Sequence, residues 1–217
     1  MKYQLKLATV AALAAICAGP TMAEEMIKLE LELPKPLFAG TPKSIKTPNL
    51  ERRAVIPEIM VPKGTTNVAA EKDVTSSDDF PVIGELEYVT DGDKDGADGS
   101  YVELGPGVQW VQIDLGAQKE IFAIALWHYH AQSRAYRDVI IQVADDADFI
   151  ENVQTIFNND HDNSAGLGVG KDREYIETNK GKLIDAKGVK GQFIRLYSNG
   201  STSSDMNHYI EAEIFGK

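Results

Sequence analysis

Val108-Gln109-Trp110-Val111-Gln112-Ile113-Asp114-Leu115 and Ile121-Phe122-Ala123-Ile124-Ala125-Leu126-Trp127-His128-Tyr129 decide the fold class. Both runs are dense in Val, Ile and aromatic residues, which fit the half-buried surface of a sheet. Working outward, runs of the same kind recur at Val139–Ala144, Val153–Phe157, Phe193–Tyr197 and Tyr209–Phe215. Most are too short to be helices. Between them stand turn residues: Gly105-Pro106-Gly107, the polar stretch from Asn158 to Gly170, and Asn199-Gly200. Only Asp145 to Asn152 has the texture of a helical turn. Many short strands with such punctuation predict an all-β, antiparallel sandwich or barrel. The roughly 150 residues from Asn67 onward suffice for one two-sheet core.

Upstream of Asn67 the chain reads differently. Six of the nine prolines fall between Pro34 and Pro62, and proline removes a backbone donor and disfavours helix before it. This stretch opens with alternation: Ile27, Leu29, Leu31 and Leu33 on one face, Lys28, Glu30 and Glu32 on the other. A period of two marks a half-buried strand. Residues 24–66 are therefore expected to be an extended Pro-rich arm with one short strand that lies partly on the main domain, residues 67–217. The competing reading is a flexible spacer.

The first 23 residues carry a secretory signal. Lys2 and Lys6 precede a nearly all-apolar run from Leu7 to Ala18, and Thr21-Met22-Ala23 supplies a small-x-small cleavage site. The apolar run is too short to span a bilayer. Cleavage is expected after Ala23. It removes both lysines and the single cysteine, Cys17, and takes the formal charge from −11 to −13. The mature protein is then expected to be secreted, periplasmic or at the cell surface, with no membrane insertion. A charge that negative argues against nucleic acid and anionic membrane as partners, both of which need a basic footprint. Without cysteine there is neither a disulfide framework nor a thiolate metal cluster.

Four segments together resemble the discoidin, or coagulation-factor type C, family. Asn67-Val68-Ala69-Ala70 with Val74-Thr75-Ser76-Ser77 resembles its opening strand, and Thr90-Asp91-Gly92-Asp93 its Asp-Gly calcium loop. Trp110-Val111-Gln112-Ile113-Asp114-Leu115-Gly116, then Ile121 and Ile124, is similar to its central strand pair. Phe193–Tyr197 and Ile210–Gly216 resemble its last two strands. The resemblance implies a galactose-binding-like jelly-roll β-sandwich. Bacterial members are often non-catalytic carbohydrate-binding modules, and animal members bind phospholipid or protein. Function has to be argued from the loops.

The sharpest chemical feature is Asp91-Gly92-Asp93-Lys94-Asp95-Gly96-Ala97-Asp98-Gly99, with four aspartates and three glycines. Calcium takes six to eight oxygen ligands on a sharply bending backbone. An EF-hand would need Glu at loop position twelve, which is Val102, so that motif is rejected. A structural calcium is expected at Asp91 and Asp93, with Asp95 and Asp98 as further candidates. The resemblance adds Glu211 as the carboxylate from the last strand that closes the site. The bland alternative is a solvated acidic turn.

For the ligand, Trp127-His128-Tyr129-His130 alternates aromatic and imidazole, so His128 and His130 share one face. That pair could hold zinc with His161 or His208, sit hydrogen-bonded at a sandwich rim, or serve a sugar site. Sugars stack on aromatic faces and pair their hydroxyls with planar polar groups. Arg134, Tyr136 and Arg137 follow at once, and Asn158-Asn159-Asp160-His161-Asp162-Asn163-Ser164 is dense in polar side chains. The expected binding residues are His128, Tyr129, His130, Arg134, Tyr136, Arg137, Asn158, His161 and Asn163. Gly166–Lys171 lacks the outer Gly and the Ser or Thr of a phosphate loop. There is no G-x-S-x-G elbow and no H-E-x-x-H helix. The expected function is a non-catalytic, lectin-like carbohydrate-binding module. The alternative is a protein–protein interaction or structural module of an extracellular or periplasmic assembly.

Overall fold

The computed structural model describes residues 24–38, 42, 44–51, 55–96 and 99–217. The expected signal peptide, residues 1–23, and Asp98 lie outside the described residues. The described residues form twelve strands: β1 (Met26–Lys28), β2 (Leu50–Glu51), β3 (Met60–Pro62), β4 (Thr66–Asn67), β5 (Val74–Ser76), β6 (Val102–Leu104), β7 (Gln109–His128), β8 (Ile140–Ala144), β9 (Gln154–Asn158), β10 (Glu174–Tyr175), β11 (Lys182–Ser198) and β12 (Asn207–Gly216). A 3-10 turn, Leu86–Thr90, precedes the acidic loop. No helix among the described residues is long and apolar enough to cross a membrane.

Two long strands organise the molecule. The main ladder runs β4-β12-β7-β11-β8-β9, with β5 on β7 and β6 on β12, and all of these pairs are antiparallel. Both β7 and β11 bend at mid-length. In β7 the bend falls at Gly116, whose φ of +79° suits glycine. In β11 the register shifts between Asp185 and Val189 and again between Gly191 and Phe193. Val111, Ile113 and Leu115 from the first half of β7 share one core with Ile124 and Leu126 from the second half. The bends thus fold the ladder onto itself as a β-sandwich, and β8, β11 and β12 add Ile141, Val143, Ile194, Leu196, Ala212 and Ile214. The stretch Asp145–Asn152 is a non-helical turn. The Asp146 carboxylate accepts the backbone N–H groups of Asp148, Ile150 and Glu151, which leaves the chain no need of helical bonds there.

A second core lies on the outer face of the second half of β7. Ala123, Ala125, Trp127 and Tyr129 point there and pack with Ile59 and Val61, with Leu29 and Leu31 partly buried beside them. Ile27 and Leu33 remain 39% and 41% exposed, so only the middle of the alternating segment packs. The arm is tied down further on. The Asn179 side-chain amide donates to the Pro34 carbonyl, Ile45 packs on Ala135 and Ile176, and β2 pairs in parallel with β10.

Candidate functional site

The arm explains where the paired histidines go. Strand alternation sends His128 toward the main core, and Trp127 toward the face the arm covers, so both side chains are fully buried. The sequence expects one of these two faces to be open to a ligand. The structure corrects this, because a second apolar layer lies on the outer face. His128 stacks on Tyr136 at 4.3 Å, and its Nδ1 lies 3.2 Å from Glu177 Oε2. Tyr136 OH lies 3.0 Å from His208 Nδ1, and His208 Nε2 lies 2.8 Å from Glu103 Oε2. The Arg134 guanidinium sits 4.6 Å over the Tyr129 ring. Burial lowers the pKa of His128 to about 3 and that of His208 to about 4, with the neighbouring Arg134 charge also acting on His208. Burial drives Glu177 and Tyr136 upward. His130 is buried as well, its Nε2 2.8 Å from the Lys94 carbonyl. His128, Tyr129, His130, Arg134 and Tyr136 therefore come together, but as a buried polar network and not as a binding surface.

The open polar site lies beside this network. A cleft of about 510 Å³ is lined by Arg137, Asp138, His161, Asp162, Ser164 and Asn199, with Glu174, Thr202 and Asp205, the Pro106-Gly107 turn and Lys46–Pro48 of the arm. Of the expected binding residues, Arg137 and His161 line it. Asn158 is buried instead: its side-chain amide donates to the Gly168 carbonyl and its Oδ1 accepts the Asp160 N–H, closing the base of the polar loop. Exposed Asn163, with φ +62°, accepts the Gly168 N–H and shapes that loop. Asp138, Glu174, Asn199 and Asp205 escape a sequence reading because they are ordinary polar residues on separate loops. For Asp138 the signal is its place next to Arg137. No Phe, Tyr or Trp side chain is among the described residues lining the cleft.

At the acidic loop, Asp91 Oδ1 accepts the Asp93 N–H and Asp93 Oδ1 accepts the Asp95 N–H, so two carboxylates shape the turn. Gly96, at φ +61°, is enclosed: a Cβ there would lie 2.8 Å from Ile210 Cδ1. Lys94 pairs with Glu213 at 2.8 Å. Glu211 is fully buried; its Oε2 accepts the Gly92 N–H at 3.0 Å, and its Oε1 has no partner among the described residues. Burial raises the Glu211 pKa to about 8, against the Gly92 hydrogen bond and with help from Glu213 and Asp91. An orphaned carboxylate oxygen facing a glycine-rich acidic loop suits a hard cation. Among the described residues, however, no three of the loop acids and Glu211 bring carboxylate oxygens within 4.8 Å of one another.

The model of the NedA-like, galactose-binding domain family, of the coagulation-factor type C group, matches residues 88–196, half of the chain. The chain belongs to this family. No curated protein matches the sequence. Two solved structures share the fold of this galactose-binding-like domain. The chitosan-binding module 1 of a chitosanase/glucanase from Paenibacillus sp. IK-5 is 18% identical, with 70% of this chain and 99% of that one covered and a TM-score of 0.51. The family 89 glycoside hydrolase from Clostridium perfringens is 21% identical over 69% of this chain, with a TM-score of 0.51. The present chain spans only 14% of that enzyme's length. The matched segment of the galactose-binding-like domain runs from the 3-10 turn into β11, and includes the acidic loop, Arg137, Asp138 and the 158–164 loop.

Proposed function

We propose that this chain is a non-catalytic carbohydrate-binding module that takes a glycan in the rim cleft and acts outside the cytoplasm after cleavage near Ala23. The observation that supports this most is the cleft lining. Arg137, Asp138, His161, Asp162, Ser164 and Asn199 set donors and acceptors around one concavity, which is the arrangement that reads ring hydroxyls. The family's description and the chitosan-binding name of the Paenibacillus module point to the same ligand class. Pro48 and Pro106 offer apolar surface for a sugar face. Binding needs no proton transfer, so the reading asks no general acid or base of these residues.

Calcium is proposed at the acidic loop as a structural staple, with Asp91, Asp93 and Glu211 as side-chain ligands and Asp95 and Asp98 as further candidates. The orphaned Glu211 Oε1 supports it. The ion would supply charge that the buried carboxylate lacks, and the ligand itself would be read by the cleft.

A second reading, docking of a protein partner, is favoured by the exposed apolar side chains of the arm: Met26, Ile27, Leu33, Leu37, Ile56 and Met60. A glycan array separates the two. Binding to a defined glycan class supports the module reading, and silence across the array overturns it in favour of the partner.

A further inference from the structure

Asp138, Asp160 and Asp162 each bring a carboxylate oxygen within 4.8 Å of the others. Asp138 is 5% exposed and Asp160 not at all. Three negative charges at that spacing repel one another, and more strongly where water is excluded. Among the described residues no Lys, Arg or His nitrogen lies within 4 Å of any of the three; Arg137, next in the chain to Asp138, pairs with Asp205 at 3.9 Å instead.

A second, independent observation comes from Glu174. It stands on β10, lines the cleft with Asp138 and Asp162 and is 4% exposed, and its Oε2 has no hydrogen-bond partner among the described residues. The cleft lining thus includes the carboxylates of Asp138, Asp162, Glu174 and Asp205, and one Glu174 oxygen has no hydrogen-bond partner among the described residues. A buried carboxylate without a partner calls for a positive occupant.

We propose that Asp138, Asp160 and Asp162 hold a divalent cation in the rim cleft, and that the cation is calcium. The converging atoms are all carboxylate oxygens, which suit a hard cation, and backbone carbonyls and water complete its six to eight ligands. The carboxylates are themselves held in place. Asp160 Oδ1 accepts the N–H groups of Asp162 and Ser164, and Asp138 Oδ2 accepts the Ser164 hydroxyl and the Asn199 amide. Such hydrogen bonds orient metal-ligating carboxylates. The site shares no residue with the acidic loop or Glu211. It does not rest on the glycan reading, so the test is run without sugar.

The test is calorimetric titration of the EDTA-stripped full chain with calcium chloride alone. The Asp138→Asn/Asp162→Asn double variant should lose a calcium-binding event that Glu211→Gln retains. The affinity loss should be about tenfold or more, because ligand charge sets calcium affinity. Should the double variant misfold, Asp162→Asn alone alters only an exposed side chain and should weaken the same event. Calcium binding that is unchanged in these variants, or that disappears entirely in Glu211→Gln, overturns the inference.

Discussion

His128 Nδ1 lies 3.2 Å from Glu177 Oε2, and neither side chain has any exposed surface. Burial lowers the histidine to about 3 and raises the glutamate well above its ordinary 4.5, so the folded pair carries one proton across a wide pH range. In the unfolded chain the same residues hold two protons below about pH 4.5, one between about 4.5 and 6.5, and none above. Stability rises with pH where the unfolded state binds more protons and falls where it binds fewer.

The pair is therefore expected to contribute a plateau between about pH 4.5 and 6.5, with stability lost on both sides. Each limb has a slope of up to about 1.4 kcal/mol per pH unit. Urea unfolding from pH 4 to 9 checks this. Glu177→Gln removes the titrating carboxyl and should flatten the alkaline limb. An alkaline limb unchanged in that variant would show that other groups produce it.

The arm should behave as part of the domain. Val61 is 1% and Ile59 5% exposed, both against the Trp127 face. Ile59→Ala is expected to cost about 2–4 kcal/mol, through lost transfer energy and a residual cavity. Deleting residues 24–66 should move Trp127 into water and shift the tryptophan emission to longer wavelength. Emission identical to the full chain would mean that the arm does not cover Trp127 in solution.

Gly181, at φ +59°, sits against Trp127, and a Cβ there would lie 2.7 Å from Trp127 Cε2. Gly181→Ala should destabilise by about 2–3 kcal/mol, from backbone strain and overpacking together. Gly107→Ala, with φ +88° and nothing within 4 Å, should show the strain alone, about 1 kcal/mol. Equal losses for the two would remove the contact with Trp127 from the account.

The strands were legible in the sequence wherever Val, Ile and aromatics ran together, as in β7, β8 and β12. The first half of β11 was not, because Lys182, Asp185, Lys187 and Gly188 interrupt its apolar residues. It is held by pairing with β7 at Lys182↔Leu126 to Asp185↔Ala123. The site was half legible. Arg137 and His161 were marked by their chemistry, and Asp160 and Asp162 lay inside a loop already singled out as polar. His128 and Tyr136 carry the same chemical signal yet are buried, since local alternation does not reveal that a distant segment covers the second face. Glu174 and Asn199 reach the cleft only through tertiary folding.

Calcium at the acidic loop should raise the melting temperature of the EDTA-treated protein. At a hundredfold excess over Kd the stabilisation is about 2.7 kcal/mol. Glu211→Gln should remove most of the shift attributable to that loop. Identical melting curves with EDTA and with calcium would count against a bound ion.

The central claim is that the rim cleft binds a glycan, and the most direct measurement is calorimetry with the strongest ligand from an array. Arg137→Ala and His161→Ala should each cost about 1–3 kcal/mol of binding, by leaving desolvated ligand groups unpaired, and should leave the melting temperature nearly unchanged. His128→Ala, which empties a buried position, should lower the melting temperature. Full affinity in both Arg137→Ala and His161→Ala, with the fold intact, would contradict the account.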